Sequence, residues 1–502
     1  MSPPSRPSAP LAETYDLAIV GGGINGAGIA ADAAGRGLSV FLCEQDDLAG
    51  HTSSASSKLI HGGLRYLEHM EFRLVREALA EREVLLGKAP HLVRPLRFIL
   101  PHRPHLRPAW MIRLGLFLYD HLGGRRSLAG SHGLRLGPDN PLRADIRRGF
   151  EYSDCWVDDA RLVVLNAMAA REHGAHIHTR TRCLSARRSK GLWHLHLQRQ
   201  DGSRVSLRAR ALVNATGPWV ERFLKDDLRQ SARHGIRLVQ GSHLIVPALY
   251  PGEQAYILQN EDRRIVFVIP YLGRLSLIGT TDREYQGDPR QVQITAEESA
   301  YLLSVVNAHF RRQLQPEDVV ASFSGVRPLC NDESGDPSAV TRDYTLELSG
   351  SPDSGLLLSV FGGKLTTYRR LAESALTLLA PAFPRLRPAW TAQAALPGGE
   401  QRQSAPELTS VLLRRHAWLP PELAQRWAAA YGCRVWDLLG QRDSLTALGE
   451  DFGSHLHACE VDYLCRQEWA LSAEDILWRR SKLGLLLSPA QVVRLERYLA
   501  GD

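Results

Sequence analysis

The chain has 502 residues, of which 44% are hydrophobic and 23% charged, and its formal net charge is +7. This length predicts two or three domains of a soluble globular protein, and the charge suits an anionic substrate, a membrane surface or nucleic acid. The seven cysteines include no C-x-x-C pair, which argues against a disulfide framework and favours a reducing compartment.

The N-terminal residues 1–14 are rich in proline and serine and lack the apolar core of a signal peptide. We therefore predict a disordered tail. No stretch of the sequence approaches the ~20 apolar residues of a membrane span, so any membrane contact is expected to be peripheral. No metal-ligand spacing is present, and we predict no metal site.

Residues 15–44 predict a dinucleotide-binding unit. A strand at Tyr15–Val20 is followed by an alanine-rich helix at Ala27–Ala34 and a second strand at Ser39–Cys43. The turn has glycines at G-x-G-x-x-G spacing: Gly21, Gly23 and Gly26. These glycines permit a tight turn, let the backbone approach a pyrophosphate and let the helix pack on the strand. Glu44 ends the second strand, where an acid accepts hydrogen bonds from ribose hydroxyls; this unit alone suits NAD as well as FAD.

Small polar residues follow this unit. The run Thr52–Ser57 supplies hydroxyls and amides suited to phosphate or to a flavin edge, although an ordinary loop has the same composition. Beyond Gly62 and Gly63, the periodicity predicts a helix over Leu64–Leu86 that begins with Arg65 and Tyr66.

The segment His91–Arg126 interleaves apolar and aromatic residues with arginines. Two interpretations remain open for it. It is either a core-facing helix with a solvated basic face, or an amphipathic segment that lies in a lipid headgroup layer.

The middle of the chain predicts further strands. We expect a helix at Glu151–Arg171, strands within His173–Leu197, and a strand in Leu212–Trp219 that ends at Asn214. Gly217 then lies at the carboxyl end of a strand, where ligands bind in open α/β sheets.

The later part of the sequence predicts strands first and then, beyond a linker, helices. Short strands in Ile236–Tyr285 and Val319–Leu348 predict an antiparallel sheet under a substrate site. A buried strand at Leu356–Phe361 is followed by a helix over Leu365–Leu379 that starts at Gly362-Gly363-Lys364. The segment Pro381–Glu407 predicts a linker, and helical periodicity then fills residues 408–499.

Several motifs together identify a family resemblance. Residues 21–40 and 52–86, with LVNATGPWV, SGVRPL, TRDYTL, LLSVFGGKLTTYR and LGEDFG, closely resemble the FAD-dependent glycerol-3-phosphate dehydrogenases, in particular the aerobic bacterial respiratory branch. The resemblance extends from about Asp16 to the C-terminus. It implies an α/β fold with a Rossmann-like FAD-binding domain, an interleaved antiparallel-sheet substrate domain of the glycine/D-amino-acid oxidase type, and a C-terminal all-helical cap.

The resemblance also implies domain bounds. We expect the FAD-binding domain with the interleaved substrate domain at 15–395 and the helical cap at 396–502. The substrate part is expected mainly at 70–150 and 236–350.

The activity implied is the FAD-dependent oxidation of sn-glycerol 3-phosphate to dihydroxyacetone phosphate, with hydride transfer to flavin N5 and electrons passed to a ubiquinone-type quinone. The chain lacks the long insertion of related oxidases that use oxygen, which favours the quinone. A homodimer is expected at the cytoplasmic face of the inner membrane, with peripheral lipid contact through 91–126 and no nucleic acid.

The site residues follow from the same resemblance. The expected cofactor-binding residues are Gly21, Gly22, Gly23, Asn25, Gly26, Glu44, Thr52, Ser53, Ser54, Ser57, Lys58, Gly62, Gly63, Gly217, Gly363, Lys364 and Thr366. The expected substrate-binding residues are Arg65, Tyr66, Arg327, Arg342 and Lys364. The expected catalytic residues are His61, His243, Arg327 and Lys364.

The roles within this set depend on charge and proton affinity. A phosphate with nearly two negative charges requires cations, and bidentate arginines suit it best. We expect Arg342 and Arg65 at the phosphate, and Arg327 and Lys364 nearer the flavin. The base for the C2 hydroxyl is His61 or His243, with Arg327 or an ordered water as further possibilities.

Two rival classes remain. A flavin oxidoreductase of the glycine/D-amino-acid oxidase type shares the cofactor motifs but binds a carboxylate with one arginine. A flavin-binding regulator or basic nucleic-acid-binding module is disfavoured, because the arginines are scattered and no nucleic-acid motif is present.

Overall fold

The computed structural model describes residues 12–103, 106–123, 127–231, 234–262, 264–330 and 343–501. Most of the predicted tail and the predicted phosphate ligand Arg342 lie outside these ranges. The described residues form two β-sheets, the helices that pack on them, and a C-terminal group of helices.

The strands have the following bounds: β1 Thr14–Val20, β2 Val40–Cys43, β3 Leu59–Ile60, β4 Val93–Pro101, β5 His132–Arg135, β6 Arg148–Val157, β7 His176–His178, β8 Thr181–Ser189, β9 Leu192–Arg199, β10 Arg204–Asn214, β11 Ile236–Pro247, β12 Ala255–Gln259, β13 Ile265–Tyr271, β14 Leu275–Gly279, β15 Arg283–Glu284, β16 Ala321–Cys330, β17 Thr345–Ser349 and β18 Leu356–Phe361.

The helices have the following bounds: α1 Ile24–Gly35, α2 Phe72–Lys88, α3 Ala109–Leu122, α4 Asp159–Glu172, α5 Val220–Arg222, α6 Ala296–His309, α7 Tyr368–Leu379, α8 Ala405–Arg415, α9 Pro421–Tyr431, α10 Val435–Leu439, α11 Ala458–Glu468 and α12 Pro489–Ala500.

The first sheet has the strand order β17-β18-β10-β1-β2-β7, and the β8–β9 hairpin extends it from β10. Its five strands β18, β10, β1, β2 and β7 are parallel. Leu17 and Ile19 of β1 are fully buried, because α1, α4 and α7 pack together in the core on one face of the sheet. This arrangement matches the continuous apolar runs typical of parallel strands.

The second sheet has the order β15-β11-β14-β13-β12-β4-β6-β3, with β16 on β11 and β5 on β6. Its strands pair antiparallel except β12 and β4, which are parallel. The predicted antiparallel sheet therefore forms, but it also recruits strands from 59–157. The prediction that the strand at Thr345–Ser349 belongs to it is wrong, because β17 pairs with β18 in the first sheet.

Two predicted helices have different bounds. Residues predicted to start a helix at Glu151 instead form β6, whose aromatic side chains favour a strand. The helix α4 begins only after Asp158, whose side chain accepts a hydrogen bond from Arg161 N at 3.1 Å. The helix predicted from Leu64 is interrupted at Met70, which has a left-handed φ of 60°, so Arg65 and Tyr66 lie in a separate 3₁₀ helix, Leu64–His69.

The segment His91–Arg126 contains two different elements. Its first part is β4, an interior strand between β12 and β6, and among the described residues of the segment only those of α3 are in an α-helix. One face of α3 packs through Ile112, Leu116 and Tyr119, whereas the opposite face is exposed. None of the helices in the described ranges has the length and apolar composition needed to span a bilayer.

The C-terminal helices α8–α12 pack around their own apolar cluster, which includes Trp427 and Leu464. The predicted linker is a packed connection up to the start of α8. Within it, Thr391 is buried and accepts a hydrogen bond from Lys88 Nζ at 2.5 Å. The predicted division between the two domains at residues 395 and 396 stays a prediction.

Candidate active site

Two adjoining cavities lie at the carboxyl end of the first sheet. The first has a volume of about 210 Å³ and is lined by the glycine turn after β1. The second has a volume of about 380 Å³ and extends beneath the second sheet. The cavities share these lining residues: Ile24, Thr52, Ser53, Pro328 and Gly363. A single elongated ligand can therefore occupy both.

The glycine turn is shaped by close backbone packing. Gly21 has a φ of 114°, and a Cβ atom on it would lie 2.3 Å from the carbonyl oxygen of Ala215. A Cβ atom on Gly26 would lie 1.9 Å from the carbonyl oxygen of Gly21. Any side chain at either position would push β1, β10 and α1 apart. The turn therefore brings backbone and the N-terminus of α1 to the first cavity, as a pyrophosphate requires.

Glu44 lies at the end of β2 and lines the first cavity. Its Oε2 accepts a hydrogen bond from Gly22 N at 2.7 Å, and its Oε1 accepts one from Asp46 N at 2.9 Å. Burial raises the pKa of Glu44, while these two amides act in the opposite direction. Each carboxylate oxygen retains a second acceptor position, which is suited to a ribose hydroxyl.

The loop after β2 connects the two cavities. Thr52 donates a hydrogen bond from its hydroxyl to Val326 O at 2.7 Å, and Ser53 Oγ accepts one from Ile24 N at 3.0 Å. Lys58 instead turns into the core, where its Nζ lies 2.8 Å from Asp159 Oδ1. Burial lowers the pKa of Lys58 although Asp159 opposes this shift, so Lys58 anchors the loop and lies away from both cavities.

The segment between β18 and α7 forms the wall between the cavities. Gly362 and Gly363 have φ values of 75° and 102°, and Asn25 Nδ2 donates a hydrogen bond to Gly362 O at 3.1 Å. The prediction that a helix starts at Gly362-Gly363-Lys364 is wrong. Two successive positive φ values are incompatible with a helix, and α7 starts at Tyr368.

Three predicted cations line the second cavity: Arg65, Arg327 and Lys364. Lys364 Nζ lies 4.1 Å from the centroid of the Tyr66 ring, a cation–π contact. Arg327 donates a hydrogen bond to Thr280 Oγ1 at 2.7 Å and forms a close ion pair with Asp282. The guanidinium of Arg327 is therefore oriented before any ligand binds.

The two candidate histidines occupy different environments. His61 lines the second cavity, and its backbone N–H donates to Thr366 Oγ1 at 3.3 Å. His243 is only 1% exposed and stacks on Phe323 with ring centroids 4.7 Å apart. Its Nε2 lies 2.9 Å from Ser57 Oγ. Burial, with Arg327 and Lys58 nearby, lowers the pKa of His243 to about 3, so its ring is neutral.

Comparison with known proteins identifies the family. Residues 16–369 match the family model described as FAD dependent oxidoreductase, and residues 389–498 match the C-terminal domain of alpha-glycerophosphate oxidase. A glycerol-3-phosphate dehydrogenase of Pseudomonas aeruginosa is 73% identical over 100% of this chain and 98% of its own length. The chain belongs to the FAD-dependent glycerol-3-phosphate dehydrogenase family.

Other members and structures extend this result. The D-erythritol 1-phosphate dehydrogenase of Brucella abortus is 51% identical, over 95% of this chain and 96% of that protein. The crystal structure of the Bacillus halodurans glycerol-3-phosphate dehydrogenase complexed with FAD superposes with a TM-score of 0.75, at 28% identity, and covers 97% of this chain and 89% of that one. The predicted fold class is confirmed, and this member of the family is an enzyme with FAD as its cofactor.

The geometry of the first cavity fits FAD. The glycine turn leaves no room for Cβ atoms at Gly21 and Gly26. Glu44 places a carboxylate directly after β2. The buried Oδ1 of Asn25 has no hydrogen-bond partner among the described residues. These features suit a phosphate, a ribose and a polar edge of the cofactor.

The predicted cofactor residues divide into three groups. Those lining the first cavity are Gly21, Gly23, Asn25, Glu44, Thr52, Ser53, Gly217 and Gly363. Those found only at the second cavity are Ser57, Gly63, Lys364 and Thr366. The remainder line neither cavity: Gly22, Gly26, Ser54, Lys58 and Gly62.

Sequence reasoning missed several residues of the second cavity. Thr280 and Asp282, which orient Arg327, follow β14 directly, and their place at a strand end was the available signal. Tyr152 and Phe267 also line the cavity. Both lie in stretches that resemble the family but were given no site role, because only strand pairing brings β6 and β13 to this site.

Proposed function

We propose that this family member oxidises the C2 hydroxyl of sn-glycerol 3-phosphate to the ketone of dihydroxyacetone phosphate. The observation that carries the proposal is a cavity with three cations in its lining, which adjoins a dinucleotide cradle and shares lining residues with it. Arg65, Arg327 and Lys364 surround a space of about 380 Å³, large enough for a small phosphate ester. Cations in this number suit a phosphate better than a carboxylate.

The cofactor assignments follow from the first cavity. We assign the pyrophosphate of FAD to the turn of Gly21 and Gly23, and the ribose to Glu44. Gly363 and Thr52 line both cavities, which supports a flavin ring near these residues. When bound, FAD supplies the acceptor, flavin N5, for the hydride that leaves substrate C2.

The positions of the cations along the cavity support different roles. Pro328 and Gly363 each line both cavities. Arg327 immediately precedes Pro328 in the sequence, and Lys364 immediately follows Gly363. Arg327 and Lys364 are therefore assigned to the end near the flavin, where positive charge favours loss of the hydroxyl proton. Arg65 is assigned to the phosphate, together with Arg342, which lies outside the described residues.

His61 is assigned as the base that accepts the C2 hydroxyl proton. Its place in the wall of the second cavity supports this role, since a base must reach the proton that it removes. His243 is enclosed behind Ser57 and Phe323, and its nearly complete burial favours a structural role.

The substrate is tested by flavin reduction without oxygen. Addition of sn-glycerol 3-phosphate to the purified holoenzyme should bleach the visible flavin absorbance within seconds. A second candidate substrate is D-erythritol 1-phosphate, because a relative at 51% identity carries that name; the faster reduction identifies the preferred substrate. Bleaching by glycine or D-amino acids but by neither phosphate would overturn the proposal.

We further propose that a quinone accepts the electrons and that the enzyme attaches peripherally to the cytoplasmic face of the inner membrane. Trp110, Leu114 and Phe117 on α3 are 67%, 51% and 50% exposed. Their spacing of four and three residues gives one apolar face, and such a face binds at a lipid headgroup boundary. A homodimer stays a prediction.

Vesicle co-sedimentation tests this attachment. Burial of one leucine side chain contributes about 1.5–3 kcal/mol, so Leu114→Ser should weaken binding to anionic vesicles by roughly tenfold or more. Leu471→Ser is the matched control, because Leu471 is 54% exposed and lies in the C-terminal helical region. Equal losses for both variants, or none for Leu114→Ser, would exclude α3 as the membrane contact.

A further inference from the structure

A chain of buried hydrogen bonds lies behind the wall of the second cavity. Gly62 N donates to the hydroxyl of Tyr119 at 2.7 Å, and this hydroxyl lies 2.9 and 2.8 Å from the two carboxylate oxygens of Asp154. Arg82 donates from Nη1 to the same carboxylate at 2.7 Å. The side chains of Arg82, Tyr119 and Asp154 are all buried and line neither cavity.

These hydrogen bonds join three elements, which are distant in sequence, to the turn at Gly62. Arg82 lies on α2, Tyr119 on α3 and Asp154 on β6. Tyr119 uses its single proton toward Asp154 and accepts from the Gly62 amide, so each group has a defined role. Asp154 is held in turn by the Arg82 guanidinium. The hydroxyl of Tyr119 is therefore fixed in both position and orientation.

The turn itself has little free space. A Cβ atom on Gly62 would lie 2.5 Å from Leu79 Cδ2 and 2.8 Å from the Tyr119 hydroxyl. Gly63 follows with a φ of 74°, and a Cβ atom on it would lie 2.2 Å from the ring of Tyr66. The amide of Gly62 thus faces Tyr119 at close range, and the cavity residues His61 and Arg65 lie on either side of this amide.

We infer that Tyr119, supported by Asp154 and Arg82, is a positioning residue that fixes the turn carrying His61 and Arg65 for the reaction. This inference rests on the roles proposed above for these two residues. Tyr119 acts through the Gly62 amide and does not touch the substrate. A buried backbone N–H requires a partner, and no other hydrogen bond of the Gly62 N–H is found within the described ranges.

The variant Tyr119→Phe tests the inference, because it removes one hydroxyl and keeps the ring. The Gly62 amide and the Asp154 carboxylate then each lose a partner, and the turn is free to shift. A misplacement of about 1 Å far from the chemistry can reduce a rate by roughly 10²-fold. We expect the rate constant of flavin reduction at saturating sn-glycerol 3-phosphate to fall roughly 10- to 100-fold.

Tyr431→Phe is the matched control. Its hydroxyl donates to Glu460 Oε1 at 2.6 Å, and Tyr431 is only 1% exposed within the C-terminal helices. Both variants remove a buried tyrosine–carboxylate hydrogen bond and should lower the melting temperature, and Tyr119→Phe should lower it further because the Gly62 amide also loses its acceptor. Only Tyr119→Phe should slow flavin reduction.

Hydrogen exchange gives a readout that does not depend on the substrate. In Tyr119→Phe, amides of the 61–66 segment should exchange faster than in the wild type or in Tyr431→Phe. Equal exchange in all three proteins overturns the inference, even if no polyol phosphate reduces the wild-type flavin. Faster exchange with an unchanged rate of flavin reduction also overturns it, while the proposed function stands.

Discussion

Arg480 donates two hydrogen bonds to the carboxylate of Asp47, at 2.6 and 2.8 Å, although 433 positions separate the two residues in the chain. They are 1% and 2% exposed. Asp47 belongs to the loop that leads from Glu44 to Thr52, and Arg480 to the C-terminal helical region. The planar guanidinium matches the carboxylate bidentately, so the C-terminal helices hold a loop that lines the cofactor cavity.

The variant Arg480→Met should therefore reduce both stability and retention of FAD. Asp47 keeps an ion pair with Arg479 Nε at 2.5 Å, so the loss should be smaller than the about 3–5 kcal/mol of a buried charge left without any partner. Urea unfolding measures this loss, and the free flavin in the filtrate measures cofactor release. Arg494→Met is the control, since Arg494 is 49% exposed and its Nε lies 3.8 Å from Glu450; a similar loss in both variants would contradict the account.

Gly21→Ala should abolish FAD binding. The added Cβ atom would lie 2.3 Å from Ala215 O at a φ of 114°, so the turn must open and the pyrophosphate cradle is lost. The flavin content per protein, from the visible spectrum, is the measurement. Gly87→Ala is the control, because nothing lies within 4 Å of its Cβ position, and in helix α2 it should stabilise by about 0.5–1 kcal/mol.

His61→Gln should lower kcat by roughly 10²–10⁴-fold if His61 is the base, since general base catalysis contributes this much. His243→Gln should have a smaller effect on kcat, because its neutral ring lies behind Ser57. Steady-state turnover with a quinone analogue, measured across pH, separates the two. A large loss confined to His243→Gln would transfer the role of base to that residue.

Arg65→Met should raise the KM for sn-glycerol 3-phosphate. A hydrogen bond to a charged group contributes about 1.5–3 kcal/mol, which corresponds to roughly 10- to 100-fold in binding. The flavin spectrum should be unchanged, because Arg65 lines only the second cavity. Arg76→Met, at an exposed position of α2 outside both cavities, should leave KM at its wild-type value.

His91 should make the protein sensitive to acid. Burial lowers the pKa of His91 to about 3, and neither of its ring nitrogens has a hydrogen-bond partner among the described residues. The neutral ring therefore stabilises the fold above pH ~6.5, and this contribution is lost as the pH falls toward 3, because the unfolded state takes up the proton first.

The variant His91→Leu measures that contribution. From pH 7.5 to pH 5.0 the wild type should lose about 2 kcal/mol of unfolding free energy through His91, at 1.36 kcal/mol for each pKa unit. Urea unfolding at the two pH values measures the difference. Between pH 7.5 and pH 5.0 the unfolding free energy of His91→Leu should fall by about 2 kcal/mol less than that of the wild type. Parallel losses in both proteins would show that His91 is not the responsible group.

The sequence predicted the parts of the site that depend on local spacing. The glycine turn, the acid at Glu44 and the strand before Gly362 follow from patterns within about 30 residues. The break at Met70 and the strand at Arg148–Val157 were missed, because local apolar periodicity does not report which neighbours a segment will meet. Tyr119 and Phe267 were missed for the same reason, since their partners come from distant strands and helices.

The parallel pairing of β1 also has a consequence for synthesis of the protein on the ribosome. The strand β1 pairs with β10, which ends at Asn214, and β10 pairs with β18, which starts at Leu356. At 5–20 residues per second, β10 is completed roughly 10–40 s after β1. During that interval one edge of the apolar β1 has no strand partner, and such an edge promotes aggregation.

The nascent cofactor site is therefore incomplete until nearly three quarters of the chain has been made, because Gly362 and Gly363 follow β18. FAD therefore cannot stabilise the early strands before Gly362 and Gly363 have been synthesised. Expression yield should depend on chaperones that cover β1 during elongation more than on the supply of flavin.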